Sequence, residues 1–177
     1  SLYRLTLYAG MRRLFIFDYD DTLANFPLYN SLVFKMPVRV LPPVGGLIRG
    51  ADDVLRYLSN RGDRLHILTM NLLMDHDSKW SKMDHVGIAQ WFHEDNVDMV
   101  RRKTPEMMLS IGKGIPRNRI YMVGSSYRHD MIPALEAGIN AIYIPRPRYK
   151  RIFPGKVDDR VRVLKDIREI IDLYDEL

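Results

Sequence analysis

A chain of 177 residues with 46% apolar and 28% charged residues is long enough to bury a sizeable core in one domain and too short for two full ones. The net charge of +5 is modest, and the absence of cysteine excludes disulfides, thiolate nucleophiles and Cys-based zinc sites. No apolar run approaches the ~20 residues that cross a bilayer, and the start "SLYRLTLYAG" lacks the basic-then-apolar layout of a signal peptide, so a soluble, cytoplasmic protein is expected.

The first predicted strand, "LFIFD" at 14–18, runs straight into Asp18, Asp20 and Asp21. Two carboxylates about 4 Å apart at an effective dielectric of ~20 repel by roughly 4 kcal/mol, so such a cluster calls for a cation or a shifted pKa. The competing reading is an acidic turn that caps a helix. Residues 24–49 follow, with four prolines and a Gly-Gly pair. They are too broken for a long helix and too apolar for a disordered linker.

"ADDVLRYLSNRG" then puts Val54, Leu55 and Leu58 on one helical face and stops at Gly62, a left-handed cap. Further strands are predicted at 64–69, 96–100, 119–123 and 139–144. Between them, "TPEMMLSIGKG" offers Thr104 as N-cap and Pro105 at the first helical position. "DMIPALEAG" offers Asp130 as N-cap, tolerates Pro133 in its first turn and ends at Gly138. In the tail, Leu164, Ile167, Ile171 and Tyr174 have the spacing of an amphipathic C-terminal helix.

This alternation predicts a mostly parallel sheet with helices on both faces, in which ligands bind beyond the carboxyl ends of the strands. The residues to weigh are therefore Asp18 and Asp20, Thr69 and Asn71, Lys103, and Ser125 to Asp130. His66, His76, His85, His93 and His129 contain no HxxxH-like ligand pair. Basic residues gather at 12–13, 101–103 and 146–151, which reads as a solvated face unless several converge near the Asp cluster, where they would steer an anionic substrate. Nucleic acid is compatible with that charge, but no recognition module supports it.

Four of these stretches resemble the motifs of the haloacid dehalogenase-like (HAD) hydrolases, and the resemblance spans about residues 12 to 175. "FIFDYDDTL" resembles hhhhDxDxT, with Asp18, Asp20 and Thr22 in register. "LHILTMN" resembles the strand ending in Thr or Ser, at Thr69, and "RKTPEMM" the Lys ahead of a helix, at Lys103. "VGSSYRHD" is an altered GDxxxxD, with Ser125 in place of the first acid and Asp130 at the last.

The resemblance implies an α/β, Rossmann-like three-layer sandwich with a mostly parallel central sheet, and a phosphatase mechanism. Asp18 would attack phosphorus to form an aspartyl phosphate, and Asp20 would act as general acid and then base. Thr69 and Lys103 would hold phosphoryl oxygens, with Thr22, Asn71 and Arg128 as further substrate contacts and His129 beside them. Magnesium would be held by Asp18, the Asp20 backbone carbonyl and Asp130. Asp21 falls on the variable position of the first motif.

Ser125 should weaken metal binding. One alternative is therefore a phospho-ligand-binding protein without turnover. Another is a dehalogenase-type hydrolase, a branch that needs no metal but is typically not acidic at the position of Asp20.

Neither interval between motifs, Asp18 to Thr69 or Thr69 to Lys103, can hold a full cap domain, so the chain resembles the capless class: one domain over 1–177. Residues 24–49 are expected to form a flap beside the site. Phe26, Tyr29, Phe34, Lys35 and Arg39 would contact substrate there, or pack into the core. An open site admits a small or macromolecular phosphorylated substrate, or is closed by a second copy of the chain. The "RPRYKR" loop is expected at the active-site edge.

Overall fold

A computed structural model describes residues 12–25, 45–71, 76–146 and 156–177. Its centre is β1 (Leu14–Phe17), whose four apolar residues are fully buried. A strand covered on both faces reads as an unbroken apolar run rather than an alternating one, which is what "LFIF" shows. β1 pairs in parallel with β4 (Arg64–Met70) on one side and β6 (Ile120–Gly124) on the other. With β5 (Val97–Val100), β7 (Asn140–Tyr143) and β8 (Val161–Val163), the order is β5-β4-β1-β6-β7-β8, every pair parallel. Chain order reverses at β1, so the crevice beyond its carboxyl end is where such sheets bind ligands.

The pleat divides the core into two layers. Phe15 and Phe17 face α1 (Ala51–Asn60) through Val54, Leu55 and Leu58, together with Ile167, Ile170 and Tyr174 of the C-terminal segment. Phe15 also stacks on Tyr121, with ring centroids 4.9 Å apart. Leu14 and Ile16 face the opposite layer, Met108 of α3 (Pro105–Ile111) and Ala134 of α4 (Ile132–Ala137). This is the three-layer α/β sandwich expected. Each fully buried large side chain adds roughly 1.5–3 kcal/mol.

The helix signals at Thr104, Pro105, Gly62 and Gly138 fall where expected. Thr104 accepts a bond from the Met107 amide, and Gly62 and Gly138 have φ of +79° and +68°. Asp130 is not an N-cap: Ser126 takes that role, accepting from the His129 amide, and residues Tyr127–Met131 form a π-turn ahead of α4.

The tail also departs from its pattern. Val161–Val163 extends the sheet as β8, and only Glu169–Asp172 is α-helical (α5), followed by a short 3-10 turn. The cause is local: Glu169 Oε1 accepts from the amides of Lys165 and Asp166, and Asp166 Oδ1 accepts from that of Arg168. Those bonds hold a turn where the apolar spacing implied helix. Ile170 is fully buried while Ile171 is only partly so.

Of the broken segment, the described ends pair with each other, Ala24–Asn25 (β2) against Gly46–Leu47 (β3). Phe26, Tyr29, Phe34, Lys35 and Arg39 lie outside the described residues, as does most of "RPRYKR". Between β4 and β5 the described chain holds one helix, α2 (His76–His85), and two short 3-10 turns. No described helix is long and apolar enough to cross a membrane.

Candidate active site

At the carboxyl end of β1 the backbone is held by a bond from the Asp18 amide to the Val123 carbonyl. The chain then turns sharply. Asp21 adopts φ of +64°, a left-handed conformation that Asp tolerates better than most residues, and its carbonyl accepts a 2.5 Å bond from Arg146 Nε. Arg146, the first residue of the basic loop, is thus at the active-site edge.

Three of the residues singled out from sequence gather around Asp18, two by direct bonds and one through Lys103. Lys103 Nζ stands 2.6 Å from Asp18 Oδ1 and 2.5 Å from Asp130 Oδ1, and its side chain is almost wholly buried. Thr22, fully buried, donates to Asp18 Oδ2 at 3.2 Å. Asp130 Oδ2 accepts from the Ser126 amide at 2.9 Å. Thr22 thus holds one oxygen of the nucleophile candidate, and Asp130 bonds both Lys103 and Ser126.

Burial is the largest influence on Asp18 and pushes its carboxyl up to about 7; Lys103 opposes the rise, and Asp130 and Asp20 add to it. Burial also works to lower Lys103, but Asp130 and Asp18 outweigh it and hold the amine above its usual range.

Asp20 and Thr69 are joined by a residue that the sequence reading passed over. Lys79 of α2 donates to Asp20 Oδ2 at 2.8 Å, Thr69 Oγ1 at 2.9 Å and the Met70 carbonyl at 2.5 Å. Its side chain is 1% exposed against 37% for Asp20. One turn further, Lys82 is buried as well; burial lowers its amine to about 8, Asp20 raising and Lys79 lowering it. The signal was present in "HDSKWSKMDH": Lys79 lies four residues before Met83, which packs in the core, so helical spacing turns its stem inward.

Ser125 is buried beside this cluster, its hydroxyl 3.4 Å from the Asp20 carbonyl. Asn71 follows β4, half-buried, its backbone N–H donating to the Val100 carbonyl. Arg128 and His129 are exposed on the π-turn.

For a hard cation, the candidate oxygens are the Asp18 and Asp130 carboxylates, the Asp20 carbonyl and the Ser125 hydroxyl. Among the described residues no three acids or histidines group as a metal cage. Such a set suits magnesium, which keeps several waters and needs only one or two carboxylates. Asp130, the expected third ligand, shares Lys103 with Asp18 through its Oδ1.

No family model matches the sequence, and no curated protein matches it. Solved structures do. A protein from Listeria monocytogenes serotype 4b superposes with a TM-score of 0.70 at 22% identity, over 93% of this chain and 99% of that one. A haloacid dehalogenase-like family hydrolase from Xanthomonas campestris gives 0.70 at 16%, over 94% and 97%. A HAD family hydrolase from Deinococcus radiodurans, solved with phosphate and sodium bound, gives 0.68 at 15%, over 94% and 96%. With the sheet order, the switch point at β1 and the four motifs at the strand ends, these likenesses establish that the chain has the fold of the haloacid dehalogenase-like hydrolases.

Proposed function

We propose that the chain is a HAD-type phosphatase, hydrolysing a phosphomonoester through an aspartyl-phosphate intermediate on Asp18. The observation that carries this is the contrast between two neighbouring carboxylates. Asp18 is buried, clamped by Lys103 and Thr22, while Asp20 is partly open to solvent. Paired acids in unlike environments are suited to unlike roles.

Asp18 attacks phosphorus as the bond to the leaving oxygen breaks, and Asp20 gives that oxygen its proton. A water then attacks the aspartyl phosphate and returns a proton to Asp20. Lys103, with its fixed positive charge, and Thr69, with its hydroxyl, bind the phosphoryl oxygens whose charge must be held in the transition state. Asn71 and Arg128 are candidates to contact the rest of the substrate.

Magnesium bound by Asp18, the Asp20 carbonyl and Asp130, with Ser125 adjacent, would offset the repulsion between Asp18 and the anionic phosphoryl group. The lengths of the two intervals between motifs support a capless site, and residues 24–49 are the candidate flap, of which the described ends, β2 and β3, pair with each other. A small or macromolecular phosphoester, or a second copy of the chain, would then occupy its open side.

The test is phosphate release from a panel of phosphomonoesters with magnesium, manganese or cobalt, with Asp18→Asn as control. Turnover lost in that variant supports the reading. Ser125 favours a second one, a phospho-ligand receptor without turnover. Binding of phosphorylated ligands with no hydrolysis across the panel would decide for the receptor.

A further inference from the structure

Lys79 comes from α2, an element that carries none of the four motifs, yet its ammonium is at the centre of the site. A lysine has three donors, and here all are used, on Asp20 Oδ2, Thr69 Oγ1 and the Met70 carbonyl. Rotation of the head would leave a buried polar group unpaired, so the amine is fixed. Its effect on each partner follows. With Oδ2 of Asp20 held by Lys79, the proton that Asp20 exchanges is confined to Oδ1. A hydroxyl has one donor hydrogen and two lone pairs; with Lys79 on a lone pair, the Thr69 hydrogen is directed away from α2.

We propose that Lys79 is a positioning residue for phosphomonoester hydrolysis. It presents Asp20 Oδ1 to the leaving oxygen and turns the Thr69 hydroxyl hydrogen toward the phosphoryl group. The inference rests on the phosphatase reading of the site. Lys79 keeps its own proton throughout: as the phosphorus–oxygen bond breaks, the proton on Asp20 Oδ1 passes to the leaving oxygen, and the attacking water restores it.

The leaving group provides the readout. 4-Nitrophenolate departs readily without a proton, whereas an alkoxide from an alkyl phosphate does not. For Lys79→Met, kcat on an alkyl phosphate is expected to fall about 100-fold and kcat on 4-nitrophenyl phosphate less than tenfold, with smaller changes in KM. Adding Lys79→Met to Asp20→Asn should change the alkyl ester rate little further. Lys79→Arg, whose planar fork cannot place three bonds from one nitrogen, should resemble Lys79→Met. If Lys79→Met does not fold, Lys79→Gln is read in the same way.

Equal losses on the two esters, no loss on either, or full activity in Lys79→Arg overturns the proposal while leaving the phosphatase reading intact. A wild-type protein inert across the whole phosphomonoester panel, from which the two esters are drawn, overturns that reading, and the proposal with it.

Discussion

Asp130 lies so close to the backbone of Gly124 that a β-carbon at position 124 would stand 2.3 Å from Asp130 Oδ2. The glycine that ends β6 is thus required by the carboxylate that pairs with Lys103. Gly124→Ala is expected to push Asp130 aside, destabilise the fold by about 1–3 kcal/mol and reduce turnover. Urea unfolding and phosphate-release kinetics check both effects. An alanine variant with unchanged stability and rate would mean that Asp130 moves freely.

Asp18→Asn should stabilise the protein as it abolishes activity. The folded carboxyl is raised to about 7 from an ordinary value of 3.8. A group raised in this way favours the fold fully below its unfolded pKa, and that contribution is lost as pH rises through the folded one. The variant's advantage over wild type should therefore be absent near pH 4 and complete above pH 7, on the order of a few kcal/mol. Unfolding midpoints at pH 4.5 and 8 measure it; an equal difference at both would sink the assignment.

Lys82 predicts a slope of the opposite sign. Its folded pKa of about 8 lies below the ordinary 10.5, so the charged amine costs stability at neutral pH and that cost fades between about 8 and 10.5. Lys82→Met should remove this rise and be the more stable protein at pH 7, by at most about 3 kcal/mol. Thermal melts from pH 7 to 10 follow it.

Ser125→Asp adds a carboxylate beside the Asp20 carbonyl. The magnesium concentration for half-maximal activity should drop about tenfold or more, since affinity in oxygen-ligand sites follows ligand charge. Magnesium titration after chelation gives the answer; an unchanged midpoint would place the cation away from Ser125.

Much of this was legible before the structure. "LFIF" had to be a central strand because it is apolar at every position, and Thr104–Pro105, Gly62 and Gly138 marked helix ends through chemistry that acts within a few residues. Asp18, Thr22, Lys103 and Asp130 could be named, but not that Thr22 bonds Asp18, which depends on how the chain turns between them, or that one amine joins the two acids, because those contacts span 85 and 27 residues. Lys79 was missed for a related reason: a lysine reads as surface until the acids that compensate its charge are placed around it. The tail misled because its apolar spacing was helical while Asp166 and Glu169 captured the backbone amides that a helix would need.

The bond from Lys103 to Asp18 joins residues 85 apart in sequence, and that from Ser125 to the Asp20 carbonyl joins residues 105 apart. Closing loops of that length is slow and becomes favourable only when the intervening strands are paired. No fragment that lacks β4 or β6 can therefore assemble this cluster. During refolding, recovered turnover should trail the recovery of helix signal, and it would mark completion of the β4-β1-β6 layer.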